Sequence, residues 1–370
     1  NKTYVEEIEQ GKLQAEVDLK KSEIELPIVK GGVLGAIQDY ILKNSFIKQP
    51  AFALSAALTV LSTLIGRKYE FEGVSSNLYI LNIAPSGAGK DAPQQRVKDI
   101  LIKINCSHLL GAGDYVSDAS LMDSLPNKPV RLDIIDEAGG LLRNVNQGGA
   151  TFNTKMADIL AELYTCSTSK FLGRATAEGV KGECIRPNVN LLCSTTPAGF
   201  SEGVSYKSIE KGLMGRFLIF LGEPDKRAER IKKFASLDDE TIEKLKDLAA
   251  FKPPNSNTDI ANISQEFMSI ESSDGASEEL DKAFEEYDEI RINSKSSDPL
   301  LPIISRLYQQ LLKLAMIHAV SRAKRNDIPS VNVYDVKFAK SVIEYYYSNI
   351  QNLLENDIFR SKSEENLIKM

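Results

Sequence analysis

A glycine-rich turn followed by a lysine carries the clearest chemistry in this sequence. The turn, residues 84–91, reads APSGAGKD and follows an apolar run over residues 78–83. Gly87 and Gly89 allow a tight turn that points backbone N–H groups inward at phosphate oxygens, and Lys90 can then reach the β- and γ-phosphates of a nucleotide. The next segment has a helical pattern, whose positive N-terminal end favours the same anion. We therefore predict a phosphate-binding loop formed by Pro85, Ser86, Gly87, Ala88, Gly89, Lys90 and Asp91.

The turn departs at two positions from the pattern G-x-x-x-x-G-K-[S/T]. Ala84 stands where the first glycine is usual, which is a mild change because alanine is small. Asp91 stands where a serine or threonine usually binds Mg²⁺. A carboxylate also ligates Mg²⁺, but it adds negative charge beside a triphosphate. We expect Asp91 to contact the metal in an unusual geometry.

A second apolar stretch ends in two adjacent carboxylates. Residues 129–137 read PVRLDIIDE. Ligands of α/β sheets bind at the carboxyl ends of the strands. There Asp136 would hold Mg²⁺, directly or through water, and Glu137 would polarise the water that attacks the γ-phosphate. An Asp-Glu pair alone favours a strand end that merely faces water, but its position after the phosphate loop favours a site for ATP and Mg²⁺.

Three other polar residues sit where they could complete such a site. Thr196, or alternatively Thr195, follows an apolar strand over residues 188–194 that we place between the other two strands. Its hydroxyl would touch the attacking water. Arg216 lies immediately before a further apolar strand, where a ring-forming ATPase can offer an arginine to its neighbour's γ-phosphate. Arg306, at the start of a helical pattern, is a candidate lid arginine over the nucleotide. The alternative for Arg216 is a surface salt bridge, and the alternative for Arg306 is an arginine on the helix surface.

The region between the second and third apolar strands has the pattern of an inserted β-hairpin. Lys170, Arg174 and Lys181 lie on it. They would grip nucleic-acid phosphates if the hairpin faced a channel, and they are ordinary surface charges if it faces solvent. The sequence leaves both interpretations open.

Composition limits the function further. The chain has 370 residues, a net charge of −6 and a pI of about 5.3, so any binding to DNA must use local basic loops. Its four cysteines lack CxxC spacing and only two histidines accompany them, which argues against a zinc site and favours a reducing compartment. No apolar run is long enough to span a membrane. The chain begins with Asn1, so we expect it to be part of a longer polypeptide.

The order of patterns predicts an α/β fold, a sheet sandwiched by helices. We expect a helical or linker segment over residues 1–45, a phosphate-loop core over 46–225 and a helical lid domain over 226–370. Within them we expect a loop over 139–149 and one strongly amphipathic helix over 302–322. His318, on that helix, is expected to pack in the core.

Several segments together resemble the helicase-like AAA+ domain of phage, prophage and mobile-element primase–helicase or primase–polymerase proteins, near the MCM and superfamily III helicases. The segments that carry the resemblance are QPAFALSAALTVLSTLIGRKY, NLYILNIAPSGAGKDAP, DIIDEAGGLL, IRPNVNLLCSTTPAGF, GLMGRFLIF, RLYQQLLKLAMIHA and VNVYDVKFAKSVI. The resemblance covers roughly residues 50–350 and implies a P-loop NTPase fold.

The resemblance also implies a function. It suggests ATP-driven unwinding by a homo-oligomeric ring, expected to be a hexamer, on single-stranded or forked DNA in the cytoplasm of a bacterial host. It implies that Asp136 and Glu137 form the Walker B pair, that Thr196 is sensor 1, and that Arg216 is an arginine finger acting on a neighbouring subunit. Arg306 would be sensor 2. A primase or polymerase domain would lie upstream on the same polypeptide.

Two other hypotheses stay open. The first is an ATP-gated initiator or assembly ring that does not unwind DNA. The second is a degenerate ATP-binding scaffold, which Asp91 suggests.

Overall fold

The chain folds around a parallel sheet flanked by helices. The computed structural model describes residues 24–29, 31–115, 117–146, 152–177, 179–204, 209, 212–224, 226–253, 267–324 and 327–354. The predicted α/β class is confirmed at this level. Most of the predicted N-terminal segment lies outside the described residues.

The helices and strands alternate until residue 221, and helices dominate after it. The helices are α1 (Gly32–Lys43), α2 (Pro50–Leu64), α3 (Asp91–Lys103), α4 (Asp118–Ser124), α5 (Gly139–Asn146), α6 (Phe152–Thr165), α7 (Pro197–Gly203), α8 (Asp239–Ala250), α9 (Asp274–Asn293), α10 (Leu301–Ile304), α11 (Leu307–Arg322) and α12 (Val333–Leu353). The strands are β1 (Tyr69–Glu70), β2 (Tyr79–Ile83), β3 (Val130–Ile135), β4 (Lys170–Phe171), β5 (Arg174–Thr176), β6 (Gly179–Lys181), β7 (Cys184–Ile185), β8 (Asn188–Thr195), β9 (Phe217–Leu221), β10 (Met268–Ser269), β11 (Glu271–Ser272) and β12 (Ser330–Val331).

The main sheet has the strand order β3-β8-β2-β9, and all its pairs are parallel. Its strands read as nearly continuous apolar runs because both faces are covered. The prediction that the strand near 188–194 lies between the other two is confirmed, because β8 pairs with both β2 and β3. Ile83 is in register with Thr195 on one side and Leu221 on the other, so three strands end together. The glycine-rich turn therefore starts at the carboxyl edge of the sheet.

Helix α2 crosses the sheet as a buried, small-residue helix. Two of its hydroxyls bond to the neighbouring strands: Ser55 Oγ donates to Asn82 Oδ1 at 2.9 Å, and Ser62 Oγ donates to Asn190 Oδ1 at 2.8 Å. Asn190 Oδ1 also accepts from the Leu78 N–H at 2.9 Å. Hydrogen bonds between buried polar side chains favour one arrangement of neighbouring elements. These bonds hold α2 and the central strands in one register.

The inserted hairpin is present as two short antiparallel ladders. β4 pairs with β7, and β5 pairs with β6 at the outer end. The tip residue Glu178 lies outside the described residues. The hairpin enters and leaves at the amino end of β8, far from the glycine-rich turn.

The predicted loop over 139–149 is wrong for the residues that the structure describes there, because they form α5. Its first glycine, together with Gly203 of α7, instead allows the two helices to pack closely. A Cβ at Gly139 would lie 3.5 Å from the Gly199 Cα, and a Cβ at Gly203 would lie only 2.5 Å from the Leu142 Cβ. Contacts between α5 and α7 thus outweigh the low helix propensity of glycine.

The predicted helix over 302–322 is two helices, α10 and α11, separated at Ser305 and Arg306. It is also not amphipathic, because α11 is buried on nearly every side between its neighbours. Polar residues such as Gln310 and Lys313 are therefore inside the protein. A helix that is surrounded by protein needs no polar face toward solvent.

The C-terminal helices pack directly on the sheet. The Tyr345 hydroxyl of α12 donates to the Leu221 carbonyl at 3.3 Å, and Lys313 of α11 donates to the Asn77 carbonyl at 3.0 Å. His318 packs as predicted: its ring stacks on Phe338 at 4.3 Å, and its Nδ1 lies 2.6 Å from an Asp335 carboxylate oxygen. Among the described helices, none combines the length and the apolarity needed to cross a membrane.

Candidate active site

The glycine-rich turn adopts the backbone that its glycines were expected to allow. Gly87 and Gly89 have φ of +79° and +84°, in the left-handed region that side chains avoid. Gly89 also lies against Ile47, where an added Cβ would come within 2.8 Å of the Ile47 Cβ. The Ala88 N–H donates to the Pro85 carbonyl at 3.2 Å, closing the turn just before Lys90 and α3. The turn is therefore compact, and it leads directly into a helix N-terminus.

Lys90 and Glu137 meet at this edge of the sheet, although 47 positions separate them in the chain. Lys90 Nζ lies 3.3 Å from Glu137 Oε1; the lysine side chain is 7% exposed and the glutamate side chain is 65% exposed. Glu137 has φ of +56°, an unusual backbone for a residue with a side chain. Such strain costs about 1–3 kcal/mol and is concentrated at functional sites. The buried lysine therefore lies beside the glycine-rich turn and contacts an exposed carboxylate.

The two predicted metal ligands are both exposed at the same edge. Asp91 is the first residue of α3, directly after Lys90, and Asp136 follows β3, where its Oδ1 accepts from the Glu137 N–H at 3.2 Å. In the part of the chain that the structure describes, no group of three or more His, Cys, Asp or Glu side chains could hold a metal ion. Mg²⁺ commonly uses one or two carboxylates with substrate phosphates and water. The residues present fit that mode.

The two threonines after β8 have different surroundings. Thr196 is the N-cap of α7, and its Oγ1 accepts from the Gly199 N–H at 3.1 Å. Thr195 is fully buried, and its Oγ1 makes no hydrogen bond to any described residue. A buried, unpaired hydroxyl costs free energy and calls for an explanation. The unpaired hydroxyl therefore favours Thr195 as the residue that would contact the attacking water. Thr196 could still do so, because its oxygen accepts a hydrogen bond and its hydroxyl proton is left to donate.

Ser194 connects three parts of this edge, which the sequence did not suggest. Its Oγ accepts from Gln94 Nε2 of α3 at 2.7 Å, and its carbonyl accepts from the Ala138 N–H at 2.7 Å. The helix after the glycine-rich turn and the segment after β3 are thus both fastened to β8. Sequence reasoning missed this because Ser194 has no motif of its own.

Gln49 is a second residue that sequence reasoning missed. Its buried side chain donates from Nε2 to the Ala88 carbonyl at 3.0 Å and to the Glu223 carbonyl at 2.7 Å, and its Oε1 accepts from the Glu223 N–H at 2.9 Å. It links the glycine-rich turn to the segment after β9. A single glutamine before a proline gave no signal beyond a helix start.

Arg216 lies at the opposite edge of the sheet. It precedes Phe217, which is in register with Tyr79 at the amino end of β2. The glycine-rich turn begins after Ile83, so roughly 13 Å of strand separates the two sites. Arg216 donates to the Gly212 carbonyl at 2.6 Å and to Thr165 Oγ1 at 3.1 Å. It cannot serve the turn of its own chain.

Arg306 lies beside Arg216 rather than beside the glycine-rich turn. Burial and then the Arg306 charge lower the pKa of Arg216. Both guanidinium groups also act on Lys313, which is buried and stands 3.8 Å from the Tyr164 ring centroid. The structure therefore separates Arg306 from the predicted phosphate site of its own chain and brings it together with Arg216.

This group of cations, named here the cationic cluster (Arg216, Arg306 and Lys313), has no carboxylate partner among the described residues. Its hydrogen bonds go to carbonyl, hydroxyl and amide oxygens. Arg216 Nε is buried without any hydrogen bond to a described residue. Buried charges are ordinarily paired, so the cluster lacks a counter-anion within this part of the chain.

Two of the three hairpin residues that were candidates for DNA contact are paired with acids. Arg174 Nη1 lies 2.8 Å from Asp118 Oδ2, and Lys170 Nζ lies 2.5 Å from Glu183 Oε1. Lys181 stands opposite Arg174 in the ladder and is exposed. The described geometry favours a structural role for Arg174.

Comparison with protein-family models and with curated proteins gives no match to this chain.

Proposed function

We propose that this protein is an ATPase of the P-loop, AAA+-like class that works as a ring-forming motor on DNA. The observation that carries the proposal is the meeting of Lys90 and Glu137 beside a turn with two left-handed glycines. A buried lysine under a glycine-rich turn is suited to a triphosphate, and an exposed glutamate next to it is suited to a water molecule. The strand order, with β8 between β2 and β3, supports the same class.

The residues of this chain would divide the work at the carboxyl edge. Backbone N–H groups of the turn and Lys90 would bind the β- and γ-phosphates, and the first turn of α3 would add its dipole. Asp136 and Asp91 would hold Mg²⁺, which neutralises charge that develops on the phosphates. With phosphate at Lys90, Glu137 is released to orient the attacking water. Thr195 or Thr196 would contact that water.

The cationic cluster supports assembly of several copies. It sits at the edge of the sheet away from the proposed nucleotide, so it can complete a site only on another molecule. An arginine offered in this way stabilises transition-state charge and is worth about 10³–10⁵ in kcat. We therefore propose that Arg216, with Arg306 beside it, acts on the nucleotide of the next subunit.

A mixing experiment tests this arrangement. Lys90→Ala and Arg216→Ala proteins should each be nearly inactive in ATP hydrolysis. Mixed together, some interfaces join the intact Lys90 of one subunit to the intact Arg216 of the next, and activity should return to a measurable fraction of wild type. Lys90→Ala mixed with Glu137→Gln is the matched control and should stay inactive, because both changes affect the same edge.

Two results of this experiment would contradict the proposal. No recovery, with both variants folded and assembled, would mean that Arg216 does not act between subunits. An active Lys90→Ala protein would reject the nucleotide site itself.

A second function, an ATP-gated assembly ring without unwinding, is favoured by the acid partners of Arg174 and Lys170. If those residues serve the fold, Arg174 and Lys170 no longer support a contact with DNA phosphates. Unwinding of a forked duplex and stimulation of hydrolysis by single-stranded DNA separate the two functions. A ring that hydrolyses ATP, but neither unwinds a forked duplex nor is stimulated by single-stranded DNA, would be the assembly ring.

A further inference from the structure

Two arginines near the amino end of β8 take no part in the proposed ATPase site. Arg67 lies three residues after α2, and Arg186 lies two residues before β8. Arg67 is 7% exposed, and Arg186 is half-buried. Arg67 Nε and Arg186 Nη1 are both buried and have no hydrogen-bond partner among the described residues. Buried polar groups are ordinarily paired, so each guanidinium group lacks an acceptor.

Packing brings the two arginines together, although they are far apart in the chain. The Arg186 guanidinium lies over the Phe267 ring, 4.6 Å from its centroid. The next residue, Met268, donates its N–H to the Lys68 carbonyl at 2.8 Å. Lys68 directly follows Arg67. The ring that carries the Arg186 guanidinium is therefore fastened beside Arg67.

The backbone at Gly66 restricts the same place from the other side of Arg67. A Cβ added to Gly66 would lie 2.5 Å from Asn188 Oδ1, so only glycine allows this approach. Asn188 is the first residue of β8, and its N–H donates to the Pro129 carbonyl at 2.7 Å. The segment that carries Arg67 thus packs directly on the amino ends of β8 and β3.

Both arginines have a backbone conformation that residues with a side chain rarely adopt. φ is +61° at Arg67 and +50° at Arg186. Left-handed conformations of this kind cost free energy, persist only where the surrounding structure enforces them, and are concentrated at functional sites. The fold therefore holds two strained arginines where neither has an acceptor for all its donors.

The groups around the pair do not balance its charge. Burial lowers the pKa of Arg67; Cys184 acts in the opposite direction, and the Arg186 charge lowers the pKa further. Cys184 is a thiol whose own pKa is raised by burial, so it supplies no negative charge at neutral pH. Among the described residues no carboxylate acts on Arg67, and the cationic cluster does not act on it either. Buried charges are ordinarily paired, so this second pair of cations lacks a counter-anion.

A phosphate group matches the pair in charge and in geometry. Each guanidinium group presents a planar fork of N–H donors that fits the oxygens of an oxyanion. A phosphate monoester carries a charge of about −1.5 to −2 at pH 7 and three acceptor oxygens, so it can balance both arginines. A carboxylate carries a single charge. Because Arg67 is buried, only a small ion or a terminal group can reach it.

We propose that Arg67 and Arg186 bind a phosphate group, either as the free ion or as the terminal phosphate of an ester. The site lies at the amino ends of β3 and β8, whereas the glycine-rich turn lies at the carboxyl edge of the sheet. The inference does not depend on the proposed nucleotide function. The bound phosphate supplies the missing acceptors and fastens the segment after α2 to the segment before β8.

Titration calorimetry tests this site in protein that carries Lys90→Ala, which removes the glycine-rich turn as a competing phosphate site. Inorganic phosphate, phenyl phosphate and acetate are each titrated in a chloride buffer of constant ionic strength. Inorganic phosphate should bind at least ten-fold more tightly than acetate. Binding of phenyl phosphate as well would assign the site to a terminal phosphate, and binding of inorganic phosphate alone would assign it to the free ion.

Charge-removing variants locate the binding. In the Lys90→Ala protein, Arg186→Gln and Arg67→Gln should each weaken inorganic phosphate at least ten-fold. Arg227→Gln removes an exposed arginine and is the matched control, and Arg216→Ala tests the cationic cluster; each should change the affinity less than two-fold. Circular dichroism checks that the variants are folded. Arg186, which is less buried, decides the test if the Arg67 variant does not fold.

Four results would overturn the proposal. They are no binding of inorganic phosphate by the Lys90→Ala protein, an unchanged affinity in Arg186→Gln, a loss in Arg216→Ala as large as that in Arg186→Gln, and equal affinities for phosphate and acetate. None of them affects the proposed nucleotide function, because every arm of the experiment carries Lys90→Ala.

Discussion

Replacing the buried lysine of the cationic cluster should change how stability depends on pH. Lys313 is 1% exposed, and its Nζ donates to the Asn77 carbonyl at 3.0 Å and to Asn77 Oδ1 at 2.5 Å. Burial, together with the nearby charges of Arg306 and Arg216, holds the pKa of Lys313 well below its usual value of 10.5. Lys313→Met keeps an unbranched side chain in the space and removes the titrating group.

The direction of this pH dependence follows from the number of protons that the native and unfolded states bind. Between the lowered native pKa of Lys313 and its unfolded value near 10.5, the unfolded chain carries a proton that the native protein lacks. The free energy of unfolding then rises with pH, by up to about 1.4 kcal/mol per pH unit. In that interval, the difference between wild type and Lys313→Met should grow with pH in favour of wild type, by at most about 1.4 kcal/mol per pH unit.

Urea unfolding followed by far-ultraviolet circular dichroism at three pH values measures this difference. Subtracting the variant from wild type cancels the other titrating groups, among them Lys68, whose pKa burial lowers to about 8. Lys246→Met, at a side chain that is 44% exposed, is the control and should leave the pH dependence unchanged. A difference that stays flat or shrinks as pH rises would refute the reasoning, since Lys313 would then keep its proton in the native protein.

Three further outcomes are expected. Asp91→Ser should raise the rate of ATP hydrolysis several-fold, measured by phosphate release, because it removes a negative charge beside the triphosphate; an unchanged or lower rate contradicts this. Thr196→Val should lower the free energy of unfolding by about 1 kcal/mol through loss of a helix cap, whereas Thr195→Val should not destabilise, because its hydroxyl is unpaired. Arg174→Ala should reduce the melting temperature more than Lys181→Ala, because it strips a buried carboxylate of its partner; a loss of DNA binding at unchanged melting temperature would assign Arg174 to DNA instead.

The positions of three central strands along the chain could be anticipated from local patterns. The apolar runs before Lys90, before Asp136 and before Thr195 are typical of strands covered on both faces, and the structure has strands in all three places. The glycines of the turn were also predictable, because positive φ at Gly87 and Gly89 is the reason for glycine there. Such features depend on neighbours in the chain.

The predictions were wrong where contacts between distant segments determine the local structure. Helix α5 forms in spite of two glycines because α7 packs closely against it. Helix α11 carries polar residues yet is buried, because Asn77 and the Gly215 carbonyl accept from Lys313 and Gln310. Local pattern cannot show a partner that lies 60 or more positions away.

The sequence by itself determined which residues are candidates for chemistry: a glycine-rich turn with a lysine, two acids after an apolar strand and an arginine before another. Only the tertiary structure decided which of them share a site. Parallel strands bring their carboxyl ends to one edge and their amino ends to the other, so Lys90 meets Glu137 while Arg306 joins Arg216 at the far side. The same packing brings Arg186 next to Arg67, which no stretch of the sequence foreshadowed.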